Sequence, residues 1–132
     1  MRFDSSLRLP IIAAAAAVLG AASLPVALRG PGEWEVSSNA TGTNATRHCL
    51  ADPALLTQWE HRNVQCTRVI LSGTAERGDV QYTCPGGGFG NSKVQVITPR
   101  SVRIQTQGIS NGLPFGYKLH ARRLGDCPSV KR

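Results

Sequence analysis

The chain has 132 residues, and its 15 lysines and arginines outnumber eight acidic residues to give a formal net charge of +7. A chain of this length suits one domain rather than several. Aromatic residues make up 5% of the sequence, which leaves few side chains for stacking on bases and argues against a nucleic-acid partner. The positive balance favours anionic partners of another kind.

The first 22 residues have the organisation of an export signal. Arg2 and Arg8 precede an apolar run over residues 11–22, after which small residues offer a signal peptidase site at Ala22 or Ser23. The run is too short to span a bilayer as a helix, for which about 20 residues are needed. We therefore expect a periplasmic or secreted mature protein without a transmembrane segment. The expected parts are a signal peptide at 1–22, a lead-in at 23–31, one β-rich domain at 32–128 and a basic tail at 129–132.

The mature part contains four cysteines, namely Cys49, Cys66, Cys84 and Cys127. An even number of cysteines in an oxidising compartment favours two disulfides. Zinc sites usually contain closely spaced ligand pairs, and none is present here. We expect disulfides, with no metal and no cofactor.

Strand-like and helix-like segments follow one another along the mature chain. Asp52 as N-cap and Pro53 at the first helical position predict a short helix to residue 61, with Leu55, Leu56 and Trp59 on its apolar face. Seven segments are typical of strands, at 33–38, 46–50, 64–71, 80–84, 92–98, 101–107 and 115–124. The expected fold is mostly β, a curved antiparallel meander of six to eight strands with one short helix, stabilised by disulfides.

Two hairpins can be given a register. A turn centred on residue 75 sets Cys66 opposite Cys84, which favours that bridge among the three possible pairings and leaves Cys49 to pair with Cys127. The same register turns Arg68 toward the cysteine face, where it has to snorkel. In the next hairpin, residue 96 opposite residue 104 puts the apolar residues of both strands on one side.

Five landmarks occur in an order that is specific even though each is short. They are Pro31 to Glu35, Cys49-Leu50 followed by Asp52-Pro53, Cys66, Cys84 to Gly90, and Leu124 to Cys127. In this combination the chain resembles the family of small exported bacterial proteins known as domain of unknown function 3617. Glu33 departs from the family, whose members more often carry an apolar residue there. The resemblance implies the architecture and no activity.

The most conspicuous local motif is the glycine-rich loop Gly86, Gly87, Gly88, Phe89 and Gly90. A phosphate-binding loop normally leads into a helix and ends in Gly-Lys-Ser/Thr, whereas this loop leads into a predicted strand. A turn is the favoured interpretation, and a binding loop with Phe89 as an exposed contact is the alternative.

Candidate catalytic groups are scattered. His48 and Cys49 are strand neighbours that point to opposite faces, so they do not form a dyad. His61 and His120 are isolated and are expected on the polar surface. Glu33 and Glu35 share a strand face, where a solvated edge is commoner than a glycosidase pair.

A basic strand near the end is a candidate anion-binding site. Lys118, His120 and Arg122 alternate and project from one face, and Arg123 is adjacent in sequence. Further cations that could extend the site are Lys93, Arg100, Arg103, Lys131 and Arg132. The alternative is that these charges only maintain solubility.

We expect a noncatalytic envelope or secreted module that binds a partner or an anionic envelope component, such as lipid, glycan or an acidic protein. One alternative is an enzyme of unknown class, although no acid, base and nucleophile cluster is visible. Another is an inhibitor of an envelope hydrolase, for which the positive charge is unsuitable when the target is a basic lysozyme.

Overall fold

The structure is a computed structural model that describes residues 22–128. It contains a short 3₁₀ turn at Val26–Leu28, a 3₁₀ helix at Pro53–His61 and seven strands. The strands are β1 (Gly32–Ser37), β2 (Thr46–Leu50), β3 (Thr67–Gly73), β4 (Arg77–Thr83), β5 (Phe89–Thr98), β6 (Ser101–Ser110) and β7 (Leu113–Gly125).

All seven strands form one antiparallel sheet in the order β2-β1-β7-β6-β5-β4-β3, and the sheet is not closed. The predicted mostly β fold with one short helix is confirmed. Strands β3 to β7 form a meander, and β1 then pairs with β7. The 3₁₀ helix carries the chain from β2 at one edge to β3 at the other.

The core lies on the face of the sheet that the 3₁₀ helix covers, which we call the inner face. Leu56 of the helix is fully buried. Burial of a leucine side chain stabilises the folded state by about 1.5 to 3 kcal/mol relative to leaving it exposed. The apolar core consists of Leu28, Trp34, Val36, Leu50, Leu56, Trp59, Val94, Val102, Ile104, Leu119 and Ala121. Its strand members recur at every second position, as expected for one face of a pleated sheet.

The predicted short helix is confirmed with its start and end, and it is of the 3₁₀ type. The Asp52 carboxylate accepts a hydrogen bond from the Ala54 N–H at 3.0 Å, and Pro53 occupies the first position. Gln58, with φ −127°, interrupts the helical backbone. Its buried amide donates to the carbonyl oxygens of His61 and Val64, which stabilises the break.

Both predicted disulfides are present, with Cα–Cα distances of 5.4 Å for Cys49–Cys127 and 4.2 Å for Cys66–Cys84. The β3–β4 register is also confirmed, with Arg68 opposite Tyr82 on the cysteine face. Arg68 does more there than snorkel to solvent. Its guanidinium donates to Gln58 at 2.8 Å and to Asp52 at 3.1 Å, so it ties β3 to the helix.

The predicted β5–β6 register is wrong by two residues. Val96 lies opposite Val102, and Val94 rather than Val96 lies opposite Ile104. Thr98 pairs with Ser101 and a bulge follows Val96, so the connection is shorter than expected. A shift of two residues keeps every side chain on its face, which is why the predicted apolar face is still correct.

The lead-in packs against the β3–β4 hairpin. Leu28 joins the core, and a Cβ placed on Gly78 would lie 3.3 Å from both Leu24 and Pro25. The predicted signal segment, apart from Ala22, and the predicted tail at 129–132 lie outside the described residues. No helix in the described part of the chain is long and apolar enough to cross a membrane.

Candidate functional site

The face of the sheet opposite the 3₁₀ helix, which we call the outer face, carries most of the charged side chains of the strands. The two 3₁₀ segments of residues 22–128 contribute their buried side chains to the core on the inner face and leave the outer face uncovered. Alternation along β4 to β7 places six cationic or titratable side chains on this face. We call them the basic zone: Arg77, Lys93, Arg103, Lys118, His120 and Arg122.

Strand register brings the basic zone together. Arg103 lies opposite His120 on β7 and opposite Gln95 on β5. Gln105 in turn lies between Lys93 and Lys118. Neighbouring strands are about 4.8 Å apart, so Arg77 and Arg103, like Lys93 and Lys118, are two strand spacings apart with a glutamine between them.

Acidic residues on the outer face partly neutralise the positive charge of the basic zone. Lys93 is 3.9 Å from Asp79, and Arg122 is 3.1 Å from Glu35. The Lys93 and Arg122 side chains are 68% and 65% exposed, so these ion pairs contribute little stability. Solvated cations in weak pairs can exchange their carboxylate for an incoming anion.

Glu33 and Glu35 share the outer face, as their spacing requires, but each has an arginine partner. Glu33 is 3.9 Å from Arg47, and Glu35 binds Arg122. Each carboxylate is therefore engaged by its own arginine rather than by the other carboxylate. This arrangement favours the structural interpretation.

Two open clefts, each of about 330 Å³, lie along the basic zone. The first lies beside the loop at residues 39–42 and includes Glu35, Ser37, Ser101, His120 and Arg122. Although it combines a carboxylate, hydroxyls and an imidazole, the Ser37 hydroxyl donates to carbonyls of its own loop and Glu35 is engaged by Arg122. The second is lined chiefly by Arg77, Asp79, Lys93 and Arg103. Ser37 and Glu35 of the first cleft are therefore already engaged, and the second cleft combines three cations with one carboxylate.

Arg123 is separated from Lys118, His120 and Arg122. It lies on the inner face opposite Trp34, where its guanidinium donates to the Pro31 carbonyl at 3.1 Å and to Asp126 at 3.0 Å. Arg100 is exposed in the β5–β6 turn. Lys131 and Arg132 lie outside the described residues.

The glycine-rich loop is a turn between β4 and β5. Gly86 and Gly87 have φ of 89° and 96°, values that favour glycine, and the Cys84 N–H donates to the Gly88 carbonyl. A strand follows the loop, so no helix N-terminus is available for a phosphate. Phe89 is 45% exposed on the outer face.

His48 and Cys49 point to opposite sides, as predicted, and neither is free for catalysis. Cys49 is disulfide-bonded, and His48 packs edge-on against Trp59 with ring centroids 4.8 Å apart. Burial and then the nearby Arg62 lower the pKa of His48. A neutral imidazole is consistent with this apolar contact.

A cluster at the end of the 3₁₀ helix was missed by sequence reasoning, which placed His61 on the polar surface. His61 is half-buried and hydrogen-bonded to the Tyr82 hydroxyl at 2.9 Å, and the Tyr117 hydroxyl donates to Glu60 at 2.9 Å. Gly90 lies opposite Tyr82, where a Cβ would overlap the tyrosine ring. Glycines at inward strand positions were the available signal for a bulky neighbour.

Both tyrosines stay protonated at neutral pH. Burial and then Glu60 raise the pKa of Tyr82 to about 12. Burial, followed by the hydrogen bond with Glu60, raises the pKa of Tyr117. A protonated tyrosine has no phenolate to act as a base, and the hydrogen bonds of the cluster attach the helix to β4 and β7.

No metal site emerges from residues 22–128, since no three His, Cys, Asp or Glu side chains gather around a common point. The two disulfides indicate an oxidising, non-cytoplasmic environment.

Comparisons with known proteins identify the family alone. No curated protein and no solved structure matches the chain. One family model, described as a protein of unknown function (DUF3617), matches residues 29–127. This range includes the four cysteines, the 3₁₀ helix and all seven strands. The chain therefore belongs to the DUF3617 family, as its sequence landmarks predicted.

Proposed function

We propose that this protein is an exported, noncatalytic module that binds an anionic component of the cell envelope through the basic zone. The observation that carries the proposal is the concentration of cations on an uncovered sheet face. Four of them, Arg77, Lys93, Arg103 and Arg122, line the two open clefts. Such a surface suits reversible electrostatic binding.

Export is supported by two independent features. The N-terminal sequence has the charge, apolar run and small residues of a signal peptide. The mature domain carries two disulfides, which persist in extracytoplasmic compartments. Anionic lipids and acidic glycans are abundant ligands in such a location, whereas nucleic acid is not.

Binding of this kind is weak at each contact and depends strongly on salt. Exposed charges are screened beyond a Debye length of roughly 8 Å at physiological ionic strength. Several cations must therefore act together for useful affinity, which the cross-strand arrangement allows. Mutation of several members is needed to test the zone.

The test compares two triple variants with the same loss of charge. Lys93, Arg103 and Lys118 are replaced by Gln on the outer face, and Arg29, Arg62 and Arg123 are replaced by Gln elsewhere. We expect the outer-face triple to elute from a dextran sulfate column at much lower salt than the matched triple. Circular dichroism verifies that both variants are folded. Equal elution of the two triples would show that only net charge matters and would refute the basic zone as a site.

A further inference from the structure

An apolar margin borders the basic zone on the same outer face. Val69 and Leu71 on the edge strand β3 are 54% and 52% exposed, and Phe89 at the start of β5 is 45% exposed. Ile109 lies opposite Phe89, and Pro114 lies opposite Ile109. We define these five residues as the apolar margin. Val69 and Leu71 lie at one edge of the outer face, and Phe89, Ile109 and Pro114 lie at one end, with Thr83 between the two groups.

Amide side chains lie between the two regions. The strand register places Gln81, Asn91 and Gln107 in one row across β4 to β6. The cations of the basic zone lie on one side of this row, and Phe89, Ile109 and Pro114 lie on the other. An open cleft of about 410 Å³ runs along this row to Phe89, Ile109 and Pro114. The outer face thus changes from cationic through neutral polar to apolar within a single surface.

The distribution distinguishes between partners. A soluble polyanion has no apolar part to occupy the margin. A protein interface usually has an apolar centre and a polar rim, which is the reverse of cations bordered by exposed apolar side chains. An anionic bilayer offers both charged headgroups and an adjacent acyl boundary, and peripheral binding strengthens with both apolar burial and electrostatic attraction.

We propose that the anionic component is a lipid membrane surface, on which the outer face lies with its cations among the headgroups and its apolar margin in the interfacial layer. This inference rests on the proposed function, because it names the ligand of the same basic zone. Open clefts rather than an enclosed pocket fit a surface of many lipids better than one sequestered lipid. Binding is peripheral and reversible.

The experiment uses protein recovered after export, with its N-terminus established by mass spectrometry so that the apolar segment before residue 22 cannot contribute. The margin variant combines Leu71→Thr with Phe89→Thr. The matched control combines Val26→Thr with Val64→Thr, which are exposed apolar residues away from the margin. Binding is measured by co-sedimentation with vesicles of phosphatidylcholine and phosphatidylglycerol in equal parts, with vesicles of phosphatidylcholine alone, and with dextran sulfate beads.

We expect the margin variant to bind the anionic vesicles about tenfold more weakly than the control while binding dextran sulfate equally well. Binding to phosphatidylcholine alone should be weak for all forms. If the margin and control variants bind the anionic vesicles equally while dextran sulfate is still retained, the membrane inference is refuted and the proposed function stands, with a glycan or acidic protein as ligand. If the unaltered protein binds neither anionic vesicles nor dextran sulfate, the proposed function itself fails.

Discussion

Single polar residues determine how the 3₁₀ helix is attached to the sheet. Ser92 is fully buried, and its hydroxyl donates to the Thr57 carbonyl at 2.5 Å while lying 2.9 Å from the Thr106 hydroxyl. Since an unpaired buried polar group costs about 1 to 3 kcal/mol, this small network fixes the position of the helix on β5 and β6. Trp34 is the contrasting case within residues 22–128, because its buried indole N–H has no hydrogen-bond partner.

At the same scale, the two tyrosines predict a loss of stability in alkali. The pKa of Tyr82 is about 12 in the folded protein against an ordinary value of 10.0, so folding favours its protonated form. The stabilisation is complete below about pH 10, where both states hold the proton, and falls as pH rises toward about 12 because only the unfolded state ionises. In this window, each tyrosine with a raised pKa lowers the free energy of unfolding by up to about 1.4 kcal/mol for every unit by which the pH rises.

Urea unfolding at about pH 9 and about pH 11 measures this effect against the ordinary tyrosine range. Tyr82 and Tyr117 are the two tyrosines of the chain, so Tyr82→Phe combined with Tyr117→Phe removes all tyrosine ionisation. Lysines titrate in both proteins and cancel in the comparison. The double variant should lose less stability between the two pH values than the unaltered protein, and an equal loss would contradict the assignment.

Among the elements, the two disulfides differ in the length of chain that they close. Cys49–Cys127 spans 78 residues and joins the edge strand β2 to the segment after β7, whereas Cys66–Cys84 spans 18 residues across one hairpin. In the chain-entropy model the long loop contributes about 4.5 kcal/mol and the short loop about 3 kcal/mol. We therefore expect replacement of both Cys49 and Cys127 by Ala to destabilise more than replacement of both Cys66 and Cys84.

Urea denaturation of the two double variants, side by side, gives the comparison. The expected difference in unfolding free energy is about 1 kcal/mol or more in favour of the variant that retains Cys49–Cys127. The reverse order would mean that the β3–β4 hairpin depends on its bridge for native packing, and the loop-length argument would not apply here.

Some of the secondary-structure elements could be predicted from the sequence, and other features of them could not. Strands were recognisable because period-two alternation reflects one buried face, and β2 was predicted with its observed bounds. The bulge after Val96 carries no comparable signal, so the β5–β6 register was missed. The short helix at Pro53–His61 was predicted with its start and end, whereas its break at Gln58 was not, because the break depends on tertiary partners, including Arg68, that local propensity does not encode.

The residues of the candidate site, too, could be predicted from the sequence only in part. Lys118, His120 and Arg122 could be grouped from sequence because they alternate within one strand, and the same alternation turns Arg123 to the inner face. Arg77 was not identified, because its place in the basic zone depends on pairing across β4, β5 and β6. The apolar margin was equally inaccessible, since Val69 and Phe89 lie on different strands.

At the scale of the whole molecule, the lead-in gives the outer and inner faces their different character. Leu24 to Leu28 cover the inner side of the β3–β4 hairpin, and Leu28 is 2% exposed. Arg29 secures the segment by donating to the Ser23 hydroxyl and the Leu24 carbonyl. If export cleavage occurs after Ala22, the first of the two expected sites, Ser23 becomes the new N-terminus against Gly73 and this packing is retained in the mature protein.

Gly73→Ala tests how firmly the lead-in belongs to the fold. A Cβ at this position would overlap the Ser23 carbonyl oxygen, which is backbone and cannot rotate away, so the segment has to shift. The Leu28 N–H bonds the Pro25 carbonyl and the Arg29 N–H bonds the Val26 carbonyl, and these two amides should exchange with deuterium much faster in the variant. Loss of Leu28 burial lowers the free energy of unfolding by about 1.5 to 3 kcal/mol.

Gly116→Ala is the matched control, because its Cβ would meet no atom closer than 3.9 Å. Unchanged exchange of both amides in Gly73→Ala would show that the lead-in does not depend on this contact with the hairpin.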